Sequence, residues 1–103
     1  MPRDKPADRF PDDVVAYRRT PEFDAATTPP GLLGEHNTKA GVWGRIHVME
    51  GALLYRVTDP RREATERLLT PDEPPGVVEP EIKHHVALTG PVRFYVEFLK
   101  APD

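Results

Sequence analysis

The chain has 103 residues, of which 38% are hydrophobic and 30% charged, with a formal net charge of -3 and no cysteine. That length suits one hydrophobic core and leaves no room for a second. The acidic balance offers no broad cationic surface to a phosphate backbone, which excludes nucleic acid as the expected partner. No apolar run approaches the roughly 18 residues that span a bilayer, and the opening MPRDKPADRF lacks the hydrophobic core of a signal peptide. A cytoplasmic location away from membranes is therefore expected. Without thiols, disulfides, zinc-thiolate sites and thiol redox chemistry are excluded, so any metal must rest on nitrogen or oxygen ligands.

Thirteen prolines punctuate the chain, and their absence from residues 31–59 marks that window as the place for uninterrupted strand pairing. Residues 1–16 read as a partly loose N-terminal arm: charges and prolines mix without hydrophobic period up to Pro11, and Val14 to Tyr17 can form a short strand. Residues 20–31 read as an extended connection anchored by Phe23, and Gly34 bends the chain into His36. From Val42 to Met49 the residues alternate, with Val42, Gly44, Ile46 and Val48 against Trp43, Arg45, His47 and Met49. Glu50-Gly51 is expected to turn the chain back into ALLYRVT as a hairpin closed by Asp59-Pro60.

Residues 61–69 have a composition that suits a helix and a length marginal for one, and a loop followed by a strand over 65–69 is the favoured reading. The apolar pair Val77-Val78 follows a turn-rich stretch, and Glu79-Pro80 introduces a second alternating run over 84–88. Thr89-Gly90-Pro91 is expected to turn into VRFYVEF, which sets Val92, Phe94, Val96 and Phe98 against Arg93, Tyr95 and Glu97. Residues 101–103 form the tail. Short strands separated by glycine and proline turns at intervals of roughly ten residues predict an all-β sandwich or small barrel. Two segments, residues 36–51 and the HHV at His84 to Val86, are expected to form opposite walls of a small binding site.

The block HNTKAGVWGRIHVMEGALLY, the later VEPEIKHHV and the ending GPVRFYVEF together resemble the cupin-like domain of the tellurite-resistance TehB/YeaR-like family, standing alone without its methyltransferase domain. The resemblance spans Tyr17 to Phe98, so the cupin-like domain is placed at residues 17–100. It implies a cupin-like double-stranded β-helix, a small jelly-roll barrel, with a pocket between its sheets and a divalent metal, zinc before nickel or iron. It also implies a part in resistance to tellurite or a related stress. The general cupin pattern places two histidines and a glutamate before a glycine turn and a further histidine on a later strand. Here the turn glycine is Gly51, Gly44 stands at the glutamate position, the His-x-His pair is absent, and only the later histidine is matched, as His84.

On this basis the expected metal ligands are His36 and His84, with Glu97 or water completing the shell. His85 neighbours His84 on a strand, so the two rings point to opposite sides and cannot share one metal. Lys39, Arg45 and Arg93 offer a metal-free alternative, in which charge-assisted hydrogen bonds hold a small anion at the pocket mouth. Trp43 is a core or interface aromatic with substrate stacking as its alternative. His47 reads as exterior, and Glu79 as a residue that orders the loop presenting His84. The leading expectation is a binding protein for a small anion or metabolite. A metal-dependent enzyme has the incomplete ligand set against it, and a homodimeric interaction module is the third reading.

Overall fold

The computed structural model describes residues 3–102. The first two residues of the expected arm and the last residue of the expected tail lie outside that range. As expected, the protein is all-β. Its strands are β1 (Val15–Arg19), β2 (Phe23–Asp24), β3 (Trp43–Val57), β4 (Thr65–Leu69), β5 (Gly76–Val78) and β6 (His84–Lys100), with one helical turn, α1 (Pro30–Leu33), between β2 and β3. They form one six-stranded sheet along the path β1-β6-β3-β4, with β2 on β6 and β5 on β3. No helix of the described residues is long and apolar enough to cross a membrane.

The spine is the antiparallel pair β3 and β6, which runs from Trp43 opposite Leu99 to Val57 opposite His84. The expected hairpin is corrected here, because the chain does not reverse at Glu50-Gly51 or at Thr89-Gly90-Pro91; both segments lie inside continuous strands. They are bulges. Glu50 pairs with Arg93 directly after Val48 pairs with Phe94, leaving Met49 extra, and Ala52 alone faces Thr89, Gly90 and Pro91. An extra residue bends a strand without ending its ladder, and a bulge tolerates a proline that has no N–H to give. Gly51 takes a φ of 75°, and a Cβ there would meet the Pro91 carbonyl oxygen at 2.0 Å. Glycine is what allows the two backbones to approach so closely at the bend.

Each side of the bend recruits different flanking strands. Before it, β3 pairs with β5 at Gly44 to Ile46; after it, β3 pairs with β4 at Leu53 to Val57. On β6 the later half takes β2 and β1, antiparallel in both cases. Parity then sorts the faces as the alternation predicts. Ile46, Val48, Phe94 and Val92 from one half pack with Leu53, Tyr55, Val57, Leu69 and Val86 from the other in a single core, and Phe23 anchors against Phe94 with ring centroids 5.7 Å apart. The extended connection over 20–31 ends differently from expectation, since Pro30 starts the helical turn at a position where its missing N–H costs nothing.

The described part of the N-terminal arm makes contacts with the rest of the domain. Glu63 N–H donates to the Asp4 carbonyl at 2.7 Å, and Ala7 N–H donates to the Glu79 carboxylate at 3.1 Å. Phe10 packs edge-on to Trp43 at 5.9 Å, covering the outer face of β3.

The bend gives a first test. Gly51→Ala forces an L side chain into the left-handed region and into the Pro91 carbonyl, so urea denaturation should show a loss of ~2 kcal/mol or more. Gly34→Ala, with open space at its Cβ, should stay within ~0.5 kcal/mol of wild type. Equal effects would dismiss the bend as the reason for glycine at 51.

Candidate functional site

The two halves of the bent sheet enclose a cavity of about 180 Å³. Gly44, Ile46, Phe94, Val96 and Phe98 line it from one side of the bend, joined by Val78 of β5 beside Gly44, and Val86 and His84 line it from the other. The segment between α1 and β3 supplies the rest: Leu32, His36, Asn37 and Thr38, joined by Thr20. The wall is mainly aliphatic and aromatic, and its polar groups are few enough to consider singly.

His36 and His84 are brought together. Each donates its backbone N–H to the other's carbonyl at 2.9 Å, an isolated antiparallel bridge at the first residue of β6, and their rings meet at a centroid distance of 4.2 Å. Each ring is also tied to its own chain: His36 Nδ1 lies 2.9 Å from the Gly34 carbonyl oxygen and His84 Nδ1 lies 2.9 Å from that of Ile82. A carbonyl can only accept, so in each neutral ring the proton sits on Nδ1, and Nε2 is left with its lone pair. His84 is 4% exposed. Burial pushes it down to about 4, with the His36 and His85 charges adding to the effect and the Ile82 hydrogen bond opposing it.

The loop before His84 is held by Asp59, a residue the sequence reading used only to close the expected hairpin. Its buried carboxylate accepts from Lys83 N–H at 3.0 Å, from Arg61 N–H at 2.8 Å and from the Arg61 guanidinium, which holds the carboxyl well below the usual range. Glu79 has a different task from the expected one. It accepts from Ala7 and from the Arg62 guanidinium, so it fastens the arm. Its carboxyl is lowered by Arg62 first of all. Glu81 takes a left-handed φ of 66° at the turn into β6, and its N–H donates to the Thr38 carbonyl at 3.1 Å, tying the two histidine segments together a second time.

The remaining predicted residues are not gathered at the cavity. Glu97 has the opposite parity to Val96 and Phe98 and lies on the outer face, where His47 Nε2–H donates to its carboxylate and Arg45 Nη1 approaches at 3.6 Å. It does not join His36 and His84. His47 is thus part of a paired outer cluster, stacked on Tyr95 at 4.6 Å. Arg45 shares that face, with its guanidinium over the Phe10 ring, and Arg93 lies there as well, bridging Glu22 and Glu50 near the bend. Lys39 is exposed, beside a separate shallow groove with Tyr17 and Arg18. Trp43 packs under Phe10, away from the cavity.

The donor set does not fit a zinc, nickel or iron centre built from protein ligands alone. Among the described residues no three histidine, aspartate or glutamate side chains come together, whereas zinc takes three or four protein ligands. Gly44 lines the cavity at the expected glutamate position, and a Cβ there would already lie 3.0 Å from Val78 Cβ. Val78 fills the space a carboxylate would need.

Fold and site define a small all-β domain with a histidine-walled internal cavity. The chain belongs to the TehB-like domain family, whose model matches residues 18–96. It is 31% identical over 75 residues to the probable S-adenosyl-L-methionine-dependent methyltransferase TehB of Haemophilus influenzae, a match that covers 72% of this chain and 26% of that protein. The chain thus spans about a quarter of the length of the TehB relatives it matches. Protein YeaR of Escherichia coli (strain K12) is 29% identical over 101 residues, covering 92% of this chain and 85% of YeaR. A crystal structure of an Escherichia coli (strain K12) protein superposes with a TM-score of 0.79 at 26% identity, over 92% of this chain and 98% of the other.

The sign of the pH dependence follows from the buried ring. The unfolded chain protonates His84 near the ordinary value of ~6.5, while the folded chain resists until about 4, so stability falls as pH drops through that window. The loss should total on the order of 3 kcal/mol between pH 7 and pH 4 in urea titrations of the wild type. His84→Gln should flatten that slope. Asp59→Asn should leave the slope between pH 7 and about 5 and instead remove a loss that sets in as pH falls through the ordinary carboxylate range and continues below it. An unchanged slope in His84→Gln would assign the window to other groups.

Proposed function

We propose that this protein is a cupin-like binding domain, a small open barrel whose cavity takes a compact metabolite or solute in resistance to tellurite or a related cytoplasmic stress. The observation that carries the reading is the pair of imidazoles on one wall of an otherwise apolar cavity, each fixed in orientation by a main-chain carbonyl. Pockets of this kind use the apolar wall for affinity and a few placed polar groups for orientation. The sheet bent over its own inner face is what supports the barrel assignment, and membership of the TehB-like family supports the link to tellurite. An engineered cavity of ~150 Å³ accepts benzene, so roughly six to eight heavy atoms is the size to expect.

A charged anion held by Lys39, Arg45 and Arg93 is disfavoured, because these side chains lie away from the cavity and two of them already face carboxylates. A metal centre is the second reading. Tied-back Nδ1 atoms are how ligating histidines are commonly oriented, which favours it, and the missing third ligand counts against it. Exposed Met49 and Leu68 leave a homodimer through the sheet as a separate matter of assembly.

Filling the cavity separates these readings. Val96→Phe should keep the fold, at a cost of up to ~3 kcal/mol, and should abolish benzene-induced NMR shifts at the lining residues. In cells, it should also abolish any increase in the tellurite dose tolerated when the protein is expressed. Elemental analysis of untagged protein should give well under one zinc, nickel or iron per chain. A stoichiometric metal lost in both His36→Ala and His84→Ala would replace the solute reading by the metal one.

A further inference from the structure

The cavity wall is one-sided in its hydrogen bonding. His36 and His84 each commit Nδ1–H to a carbonyl, which leaves Nε2 as the ring nitrogen free to meet a ligand. The hydroxyls on the wall have spent their hydrogens in the same way: Thr38 Oγ1 donates to the Val42 carbonyl at 2.7 Å, and Thr20 Oγ1 donates to the Pro21 carbonyl at 2.8 Å. Asn37, exposed at the rim, turns its amide toward the Glu81 carbonyl at 3.4 Å. What remains on the inner wall is a set of acceptors in an apolar surround. No lysine or arginine lines it.

Resting on the binding reading above, we propose that the cavity selects small uncharged solutes that carry a hydroxyl or N–H donor on an apolar body, with Nε2 of His36 and His84 as the paired acceptors, and that it rejects anions. An apolar molecule of the right size fills the space but leaves the lone pair of buried His84, and that of half-buried His36, without a donor, and covering a polar group without matching it is what discriminates most sharply in such sites. A carboxylate or oxyanion would bring its own lone pairs against those of the rings, and it would lose its water with no cation in return. The same logic extends to oxyacids: the form that enters is the protonated, hydroxyl-bearing acid and not its conjugate base. Two acceptor rings only 4.2 Å apart also suit a solute with two neighbouring donors.

Phenol, toluene and benzoate form the test, as calorimetric or NMR titrations of the full chain after chelator treatment at pH 8, where imidazoles are neutral. Phenol and toluene have the same number of heavy atoms and differ in the donor. Phenol should bind at least tenfold more tightly than toluene, and benzoate should not bind at concentrations that saturate with phenol. In His36→Leu and His84→Leu the preference for phenol should shrink toward parity; because the ratio is read first in the wild type, the proposal does not hang on the folding of either variant. Toluene binding as well as phenol would keep the cavity as a site but overturn its selectivity for donors. Benzoate binding above phenol, or phenol binding that requires added zinc, would overturn the proposal in favour of an anion or metal site. If none of the three binds, the cavity reading falls together with it.

Discussion

Everything in this structure depends on the antiparallel pairing of β3 with β6 and on the pair of bulges that bends it at Gly51 and Pro91. A straight ladder of this length would leave one flat, two-sided sheet with its apolar face in water. Bending both strands at the same level lets each half turn its inner face toward the other, so Phe94 on one side of the bend and Leu53 on the other become the most deeply buried side chains of a shared core. The backbone approach that makes the bend possible is the one a side chain at position 51 would forbid. The topology then follows, because each half of β3 and β6 has a free edge at a different angle, and β1, β2, β4 and β5 each pair with one of them.

The cavity is a consequence of the same geometry. Two halves of a sheet that diverge from a bend cannot stay in contact along their whole length unless bulky side chains fill the widening gap. Here the gap is met at Gly44, which has no side chain, and by Val78, Val86 and Val96, which are short. The far end is closed by the backbone bridge between His36 and His84, so the two residues with the most chemistry also act as the clasp. The side chains that face the cavity at this end and the main chains that close it therefore belong to the same two residues.

Much of this was legible in the sequence, and the failures have a common physical origin. The alternation over 42–49 and over 92–98 sorted the faces correctly, because a half-buried strand imposes a period of two whatever its neighbours are. The strand over 65–69 was placed at the observed bounds. Glu50-Gly51 and Thr89-Gly90-Pro91 misled because a reversing turn and a bulge ask for the same residue types, a glycine with positive φ and a break in the donor ladder; only the partner strand decides between them. The docking of the arm was invisible for a related reason, since Ala7 meets Glu79 across 72 positions of sequence. Within the site, the pairing of His36 with His84 was expected from the family resemblance. Parity alone could not say that Glu97 faces outward, and nothing local announces Asp59, whose importance comes from two backbone neighbours of different origin, Arg61 and Lys83.

Burying His84 is unfavourable for a charged ring, and the surroundings are arranged so that the charge does not form. Tyr55, packed edge-on to His84 at 5.8 Å, gives its hydroxyl to the Val77 carbonyl and not to the ring, and its own ionisation is suppressed by burial first and by Glu79 second. The buried carboxylate of Asp59 is turned to the backbone of Lys83 and to Arg61, so it is spent on holding the loop and not on stabilising an imidazolium. The polar groups around the cavity thus divide into two sets. Donors and charges are consumed in fixing the walls, and the Nε2 atoms of His36 and His84 are left over. A cavity assembled in this way is shaped by main-chain geometry more than by charge, which is why substitutions that leave formal charge untouched, at Gly44 or Val96, should alter it more than changes to the lysines and arginines outside it.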